Sequence, residues 1–196
     1  MRKIGIFGGT FNPIHNGHIH LMETVKKALS LDEVWLMPAY TPPHKETKDL
    51  AKAEDRLNML ALVCQGREGF SVCRYEVDKG GRSYTVETAQ YLKSAYPQDQ
   101  FYFLMGADML LSFDQWYRYE EILSCFTLAA AARDQGEYGA LYQKASQLPG
   151  KTEIVVINPM PVSSTQVRAL AAAGKDFSGL VPEKVAAYIK EHGLYR

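Results

Sequence analysis

The sequence predicts an α/β fold, a doubly wound parallel sheet followed by a small C-terminal helical subdomain. Three observations predict it. Short apolar runs alternate with amphipathic stretches of helical period from Lys3 to Ile157, the arrangement of parallel strands joined by crossover helices. The first run breaks at Gly8-Gly9 into a polar loop stiffened by Pro13, as a strand of such a sheet does where it opens at its carboxyl end. After Ile157 the strand pattern stops and helical periodicity alone continues.

Lys3 to Gly8 is the first strand, and Gly17 to Leu31 the helix after it, with Ile19, Met22, Val25 and Leu29 on one face. Glu33 to Pro38 is a strand ended by the proline-rich loop Ala39 to Lys48. A helix over Ala53 to Gln65 leads to a strand over Phe70 to Val77. Lys79-Gly80-Gly81-Arg82 is a turn, and Ser83 to Ala95 a helix stopped by Pro97. Gln100 to Met105 is a strand closing at Gly106-Ala107-Asp108. Beyond Trp116-Tyr117 come a helix to Ser124, strand Phe126 to Ala132, helix Tyr138 to Gln147 and strand Glu153 to Ile157. The division expected is a sheet domain over residues 1–158 and a helical appendage over 159–196. In the appendage Pro182 fits the first turn of the last helix and Gly193 its C-cap.

Composition narrows the function classes. The 22 Lys+Arg balance 22 Asp+Glu, so no general basic field exists to hold nucleic acid or an anionic membrane. An anionic substrate must therefore be held by local groups. Cys64, Cys73 and Cys125 are odd in number and widely spaced, which predicts free thiols in a reducing cytoplasm rather than disulfides or a metal site. No stretch approaches the ~20 apolar residues of a membrane span.

A Rossmann-like strand order of 3-2-1-4-5 makes the first and fourth strands neighbours and places ligands beyond their carboxyl ends. Gly8 to His18 would then lie beside Gly106 to Asp108, with the proline loop and the Ser83-Tyr84-Thr85 helix start opening on the same edge. Gly8 and Gly9 are expected to take positive φ angles and let a ligand approach. A dinucleotide fingerprint would need Gly-x-Gly-x-x-Gly after the first strand. The loop here has the wrong glycine spacing, although Glu33 stands near the distance of the usual acidic residue. A second polar helix start, Ser163-Ser164-Thr165-Gln166-Val167-Arg168, pairs Ser163 with Gln166 at capping-box spacing and offers free N–H groups to phosphate. Arg168 falls on the same helical face as Ser164 and Thr165.

The run Gly8 to Pro13 with His15-Asn16-Gly17-His18 resembles the nucleotidyltransferase superfamily, whose first motif is His-x-Gly-His or Thr-x-Gly-His. Ser163 to Arg168 resembles its second. Pro42-Pro43-His44-Lys45, Arg82-Ser83-Tyr84-Thr85, Gly106-Ala107-Asp108, Trp116, Leu180-Val181-Pro182 and Gly193-Leu194-Tyr195 extend the likeness to the bacterial nicotinate-nucleotide adenylyltransferases over nearly the whole chain. Two places depart from that pattern. Ser178-Gly179 stands where an Arg-Tyr-like pair is common, and Asp134 where proline is usual.

The resemblance implies transfer of AMP from ATP to nicotinate mononucleotide, giving deamido-NAD and pyrophosphate. It implies that His15 and His18 donate hydrogen bonds around the α-phosphate, while Arg168, Ser164 and Thr165 hold the leaving β/γ end. Gly8, Gly9, Thr10, Phe11, Gly17 and Ser163 complete the ATP site. Mg²⁺ is expected on the triphosphate, held by phosphate and water, with no protein metal ligands. On the acceptor side Trp116 stacks on the pyridine ring, Thr85 and the backbone near Tyr117 meet its carboxylate, and Asp108 serves a ribose hydroxyl or the metal's water shell. His44 and Lys45 are placed at the nicotinate mononucleotide site, with Lys45 expected to close over the phosphates from the proline loop. The partners expected are these small molecules, with a homo-oligomer left open.

Plainer readings stand beside these. The His pair can cap a helix, Trp116 can be core, Asp108 can cap the helix after the fourth strand, and His20 is read as an ordinary helix residue. A sibling transferase acting on phosphopantetheine and a non-catalytic nucleotide-binding module also remain open, as does acid against amide acceptor.

Overall fold

The computed structural model describes residues 1–41 and 49–196; His44 and Lys45 lie outside the described residues. In chain order the elements are β1 (Lys3–Gly9), α1 (Asn16–Ala28), β2 (Glu33–Pro38), α2 (Ala53–Cys64), β3 (Phe70–Val72), α3 (Tyr75–Lys79), α4 (Thr85–Ala95) and β4 (Gln100–Gly106). There follow α5 (Ala107–Leu111), a 3₁₀ turn (Phe113–Gln115), α6 (Tyr119–Cys125), β5 (Phe126–Ala132), α7 (Gln135–Ser146), β6 (Thr152–Val156), α8 (Ser164–Ala172) and α9 (Glu183–Glu191). The strands form one parallel sheet in the order β3-β2-β1-β4-β5-β6, the doubly wound Rossmann-like arrangement.

The sheet is covered on both faces because alternate strand residues feed opposite clusters. Ile4 and Ile6 of β1 join Leu128, Ala130 and Ala132 of β5 against α4, α5, α6 and α7. Phe7 of β1 and Leu104 of β4 point the other way, against α1, α2, α8 and α9. The segment after β6 shares that second cluster: Val167, Ala171, Val185, Ala186 and Ile189 bury beside Met22, Met59 and Leu60. Burying Val167, Val185 and Ile189 is worth roughly 1.5–3 kcal/mol each, so α8 and α9 are pinned to the sheet face by its own core. Tyr188 adds a polar tie from α9 to α2, donating to Asp55 at 2.9 Å and accepting from Asn58 at 3.0 Å.

Several elements differ from expectation, α1 among them, which ends at Ala28 rather than Leu31. The strand expected over Phe70 to Val77 ends at Val72, and Tyr75–Lys79 is helical. Here Glu76 accepts from Thr88 at 2.7 Å, a tertiary contact that period alone does not reveal. Pro182 is the N-cap of α9 rather than a residue of its first turn. Asp134 caps α7, its carboxylate accepting from Glu137 N at 2.8 Å, so this departure from the resemblance starts the helix three residues early. Gly193 takes φ 58°, and its N–H and that of Leu194 close the end of α9 on Lys190 and Ile189, the predicted glycine cap. The cysteines are free, and burial pushes the Cys64 thiol up to about 11.

Candidate active site

Gly8 and Gly9 end β1 paired with Met37 and Pro38 of β2 and enter the loop, but neither has a positive φ; in this loop that conformation falls on Phe11, at 48°. The glycines are needed for space instead. A Cβ on Gly9 would lie 3.0 Å from the Phe11 ring, and one on Gly8 3.3 Å from the Phe103 ring. Phe11 is 2% exposed and packs edge-on against Phe7 and His18, so only its backbone faces outward to a ligand. Asn12 fixes the loop from below: its amide donates to Asp49 O at 2.8 Å and accepts from Ala51 N at 3.0 Å. The Asn12-Pro13 peptide is cis.

His15 is the N-cap of α1 and His18 its third residue, and they cap the helix reciprocally. His18 N donates to His15 Nδ1 and His15 N donates to His18 Nδ1, each at 3.3 Å. The rings stack with centroids 3.6 Å apart and planes 20° from parallel. Because both Nδ1 atoms accept from backbone, the ring proton of each neutral imidazole sits on Nε2. Burial pushes His15 down to about 4, so near neutral pH it is an uncharged donor. Capping and phosphate binding are thus compatible here, since one uses Nδ1 and the other Nε2. Gly17 makes the packing feasible, for a Cβ there would lie 3.0 Å from Val162 and 3.2 Å from His15 Nδ1. His20 bonds Asn158 O at 2.9 Å, tying α1 to the chain after β6.

The second motif docks directly on this loop. Ser163 caps α8, accepting from Gln166 N at 3.2 Å, while Ser164 donates to Pro13 O at 2.8 Å. Arg168 donates to Asn12 O at 2.9 Å, with Thr165 Oγ1 at 3.5 Å from its other amino group. Asn16 closes the arrangement on the segment that departs from the resemblance: its N–H donates to Leu180 O at 2.9 Å and its side chain to Gly179 O at 3.1 Å. Backbone oxygens receive both bonds, so the identity of residues 178 and 179 matters little to them.

At the tip of β4, Phe103 lies over Gly8 and meets Trp116 edge-on at 5.9 Å, placing Trp116 one ring away from the loop. Trp116 is also packed on Phe113 at 5.1 Å and is only partly buried. Tyr117 is 60% exposed, and its ring stands 5.3 Å from Tyr84, the N-cap of α4, so Tyr117 and Thr85 share one edge. Asp108 lies in the first turn of α5 with its side chain 94% exposed, 3.9 Å from Arg133; α5 has no side-chain cap, which removes the capping reading. Among the described residues no group of three or more His, Cys, Asp or Glu could hold a metal ion. Hydroxyls, imidazole Nε2–H groups and a guanidinium suit phosphate oxygens rather than a bare cation. Asn12, Phe103 and Arg56 support the site without having been singled out in the sequence; Asn12 alone carried a signal, by its place inside the first motif.

The cytidylyltransferase-like family model matches residues 6–170, which span both motifs. A probable nicotinate-nucleotide adenylyltransferase of Bacillus cereus (strain B4264) is 40% identical over 195 residues, covering 100% of this chain and 99% of its own. The chain belongs to the nicotinate-nucleotide adenylyltransferase family. A second relative, from Bacillus mycoides, is 39% identical with the same coverage. The fold is shared with Plasmodium falciparum nicotinic acid mononucleotide adenylyltransferase complexed with APC (TM-score 0.80, 18% identity, 100% and 98% of the two chains). It is shared also with a putative nicotinate-nucleotide adenylyltransferase from Vibrio parahaemolyticus (TM-score 0.73, 23% identity, 100% and 96%). The match to the Bacillus cereus adenylyltransferase extends through the helices after β6. Among the described residues no helix is long and apolar enough to cross a membrane.

Proposed function

We propose that this adenylyltransferase joins ATP and nicotinate mononucleotide into deamido-NAD and pyrophosphate, with His15, His18 and Arg168 as its charge-stabilising groups. The observation that carries the reading is the docking of the second motif on the first through Ser164, Arg168, Pro13 and Asn12. It gathers two imidazoles, a guanidinium and a helix N-terminus around the exit of β1.

The acceptor phosphate is already an anionic nucleophile. An oxygen of nicotinate mononucleotide forms the new bond to the α-phosphorus, the bond to the α,β-bridging oxygen breaks, and pyrophosphate leaves with that electron pair. No covalent protein intermediate or strong base is required, so the residues act by alignment and by offsetting charge. The Nε2–H groups of His15 and His18 donate at the α-phosphate, and Arg168 with the Ser163-capped start of α8 holds the β/γ end. A neutral His15 keeps Nδ1 as the acceptor of the cap while donating from Nε2–H. Mg²⁺, carried on the triphosphate, would supply further charge neutralisation. Trp116 gives the pyridine ring a stacking face and Thr85 a hydroxyl for its carboxylate.

The deciding assay is pyrophosphate release from ATP and Mg²⁺ with nicotinate mononucleotide, nicotinamide mononucleotide and phosphopantetheine side by side. Turnover is expected with the first, and absence of turnover with either pyridine nucleotide overturns the reading.

A further inference from the structure

Arg56, in α2, is 1% exposed, the most deeply buried cation among the described residues. Its hydrogen bonds to the described residues all go to backbone carbonyls. Nε donates to Ala51 O at 3.1 Å, one amino group to Thr10 O at 2.9 Å and Ala39 O at 2.6 Å, and the other to Tyr40 O at 3.0 Å. These carbonyls belong to the loop after β1, the chain leaving β2 and the chain entering α2. Among the described residues no carboxylate stands within ion-pair distance of it: the neighbouring Asp55 is engaged by Tyr188 instead.

A buried guanidinium with no counter-charge among the described residues loses hydration that four carbonyl contacts offset only in part. Neutral donors could tie the same carbonyls without that cost. The Tyr195 hydroxyl, buried with no hydrogen-bond partner among the described residues, lies in the field of Arg56 and Arg168 and of the Asp55 carboxylate, so the two cations flank one region behind the first loop. The chain as a whole has no net charge to attract a polyanion.

We propose that Arg56 is a positioning residue for the triphosphate: it holds the Thr10 backbone in place and supplies, beneath the phosphate loop, a positive charge that no described carboxylate pairs with directly. This rests on the ATP reading of the site. The charge remains costly in the free protein and becomes favourable when phosphates bind above it, so its contribution grows with phosphate charge. A merely structural arginine would affect all adenine nucleotides alike.

The test is the affinity of wild type, Arg56→Gln and Arg56→Lys for ATP, ADP and AMP by calorimetry in EDTA, where the phosphates keep their full charge. For a folded Arg56→Gln the expected loss is at least about tenfold for ATP, smaller for ADP and smallest for AMP, while Arg56→Lys keeps the wild-type ATP:AMP ratio within about threefold. Equal losses for ATP and AMP overturn the proposal. So does a lysine variant that loses ATP affinity selectively, and this arm decides the matter if the glutamine variant does not fold. Wild-type turnover in the pyrophosphate assay separates the two levels: no turnover overturns the ATP reading itself, whereas turnover with ungraded losses overturns only the role of Arg56.

Discussion

His15 and His18 cap the same helix through each other, each ring taking the other's backbone N–H on Nδ1 while the imidazoles stack at 3.6 Å. The reciprocal cap fixes both rings and both tautomers before substrate arrives. Preorganised donors of this kind cost no reorganisation at the moment charge develops.

The cap and the proposed catalytic role can be separated at His15. Asn is a good N-cap but lacks a donor in the Nε2 position, so His15→Asn is expected to keep the melting temperature within a few degrees while lowering kcat by at least about a hundredfold. His18→Ala should lower kcat similarly and also cost about 1 kcal/mol of stability, because half of the reciprocal cap is lost. Near-normal turnover in both variants, measured by pyrophosphate release, would remove them from the mechanism.

Protonation of His15 sets an acid limit. Its folded value, about 4, lies below the ordinary 6.5, so between these pH values the unfolded chain binds the extra proton and stability rises with pH. The contribution, on the order of 3 kcal/mol, is fully present above pH 6.5 and is lost as pH falls towards 4. Urea midpoints from pH 7.5 to 4 should show a slope in that window that is smaller in His15→Asn; identical slopes would contradict the burial argument.

Trp116 stands one ring from the loop, across Phe103. Trp116→Ala is expected to raise KM for nicotinate mononucleotide by about two- to tenfold, the value of one aromatic stack, with KM for ATP changed much less. Equal rises for both substrates would make Trp116 a packing residue.

Two glycines should respond in opposite directions. Gly17→Ala drives a methyl to 3.0 Å from Val162 and 3.2 Å from His15, so a loss of about 1–3 kcal/mol and of activity is expected. Gly139 lies inside α7 with nothing within 4 Å of its would-be Cβ, and Gly139→Ala should add about 0.5–1 kcal/mol with activity unchanged. Thermal denaturation alongside kcat distinguishes the two.

By itself the sequence determined the fold class, the strand order at the switch point and both motifs, because apolar period, helix caps and loop glycines are local properties written in consecutive residues. The glycine cap at Gly193 and the capping serine at Ser163 were legible for the same reason. Tertiary structure alone decided what depends on residues far apart in the chain. It showed that Gly8 and Gly9 make room for Phe103 and Phe11 rather than supply positive φ, that Tyr75–Lys79 is helical, and that Phe103 carries Trp116 towards the loop. It showed too that Arg56 clamps carbonyls from three segments, a role invisible in a helix whose sequence reads as ordinary. The physical reason is that a buried guanidinium is defined by its acceptors, and carbonyl acceptors leave no trace in side-chain identity.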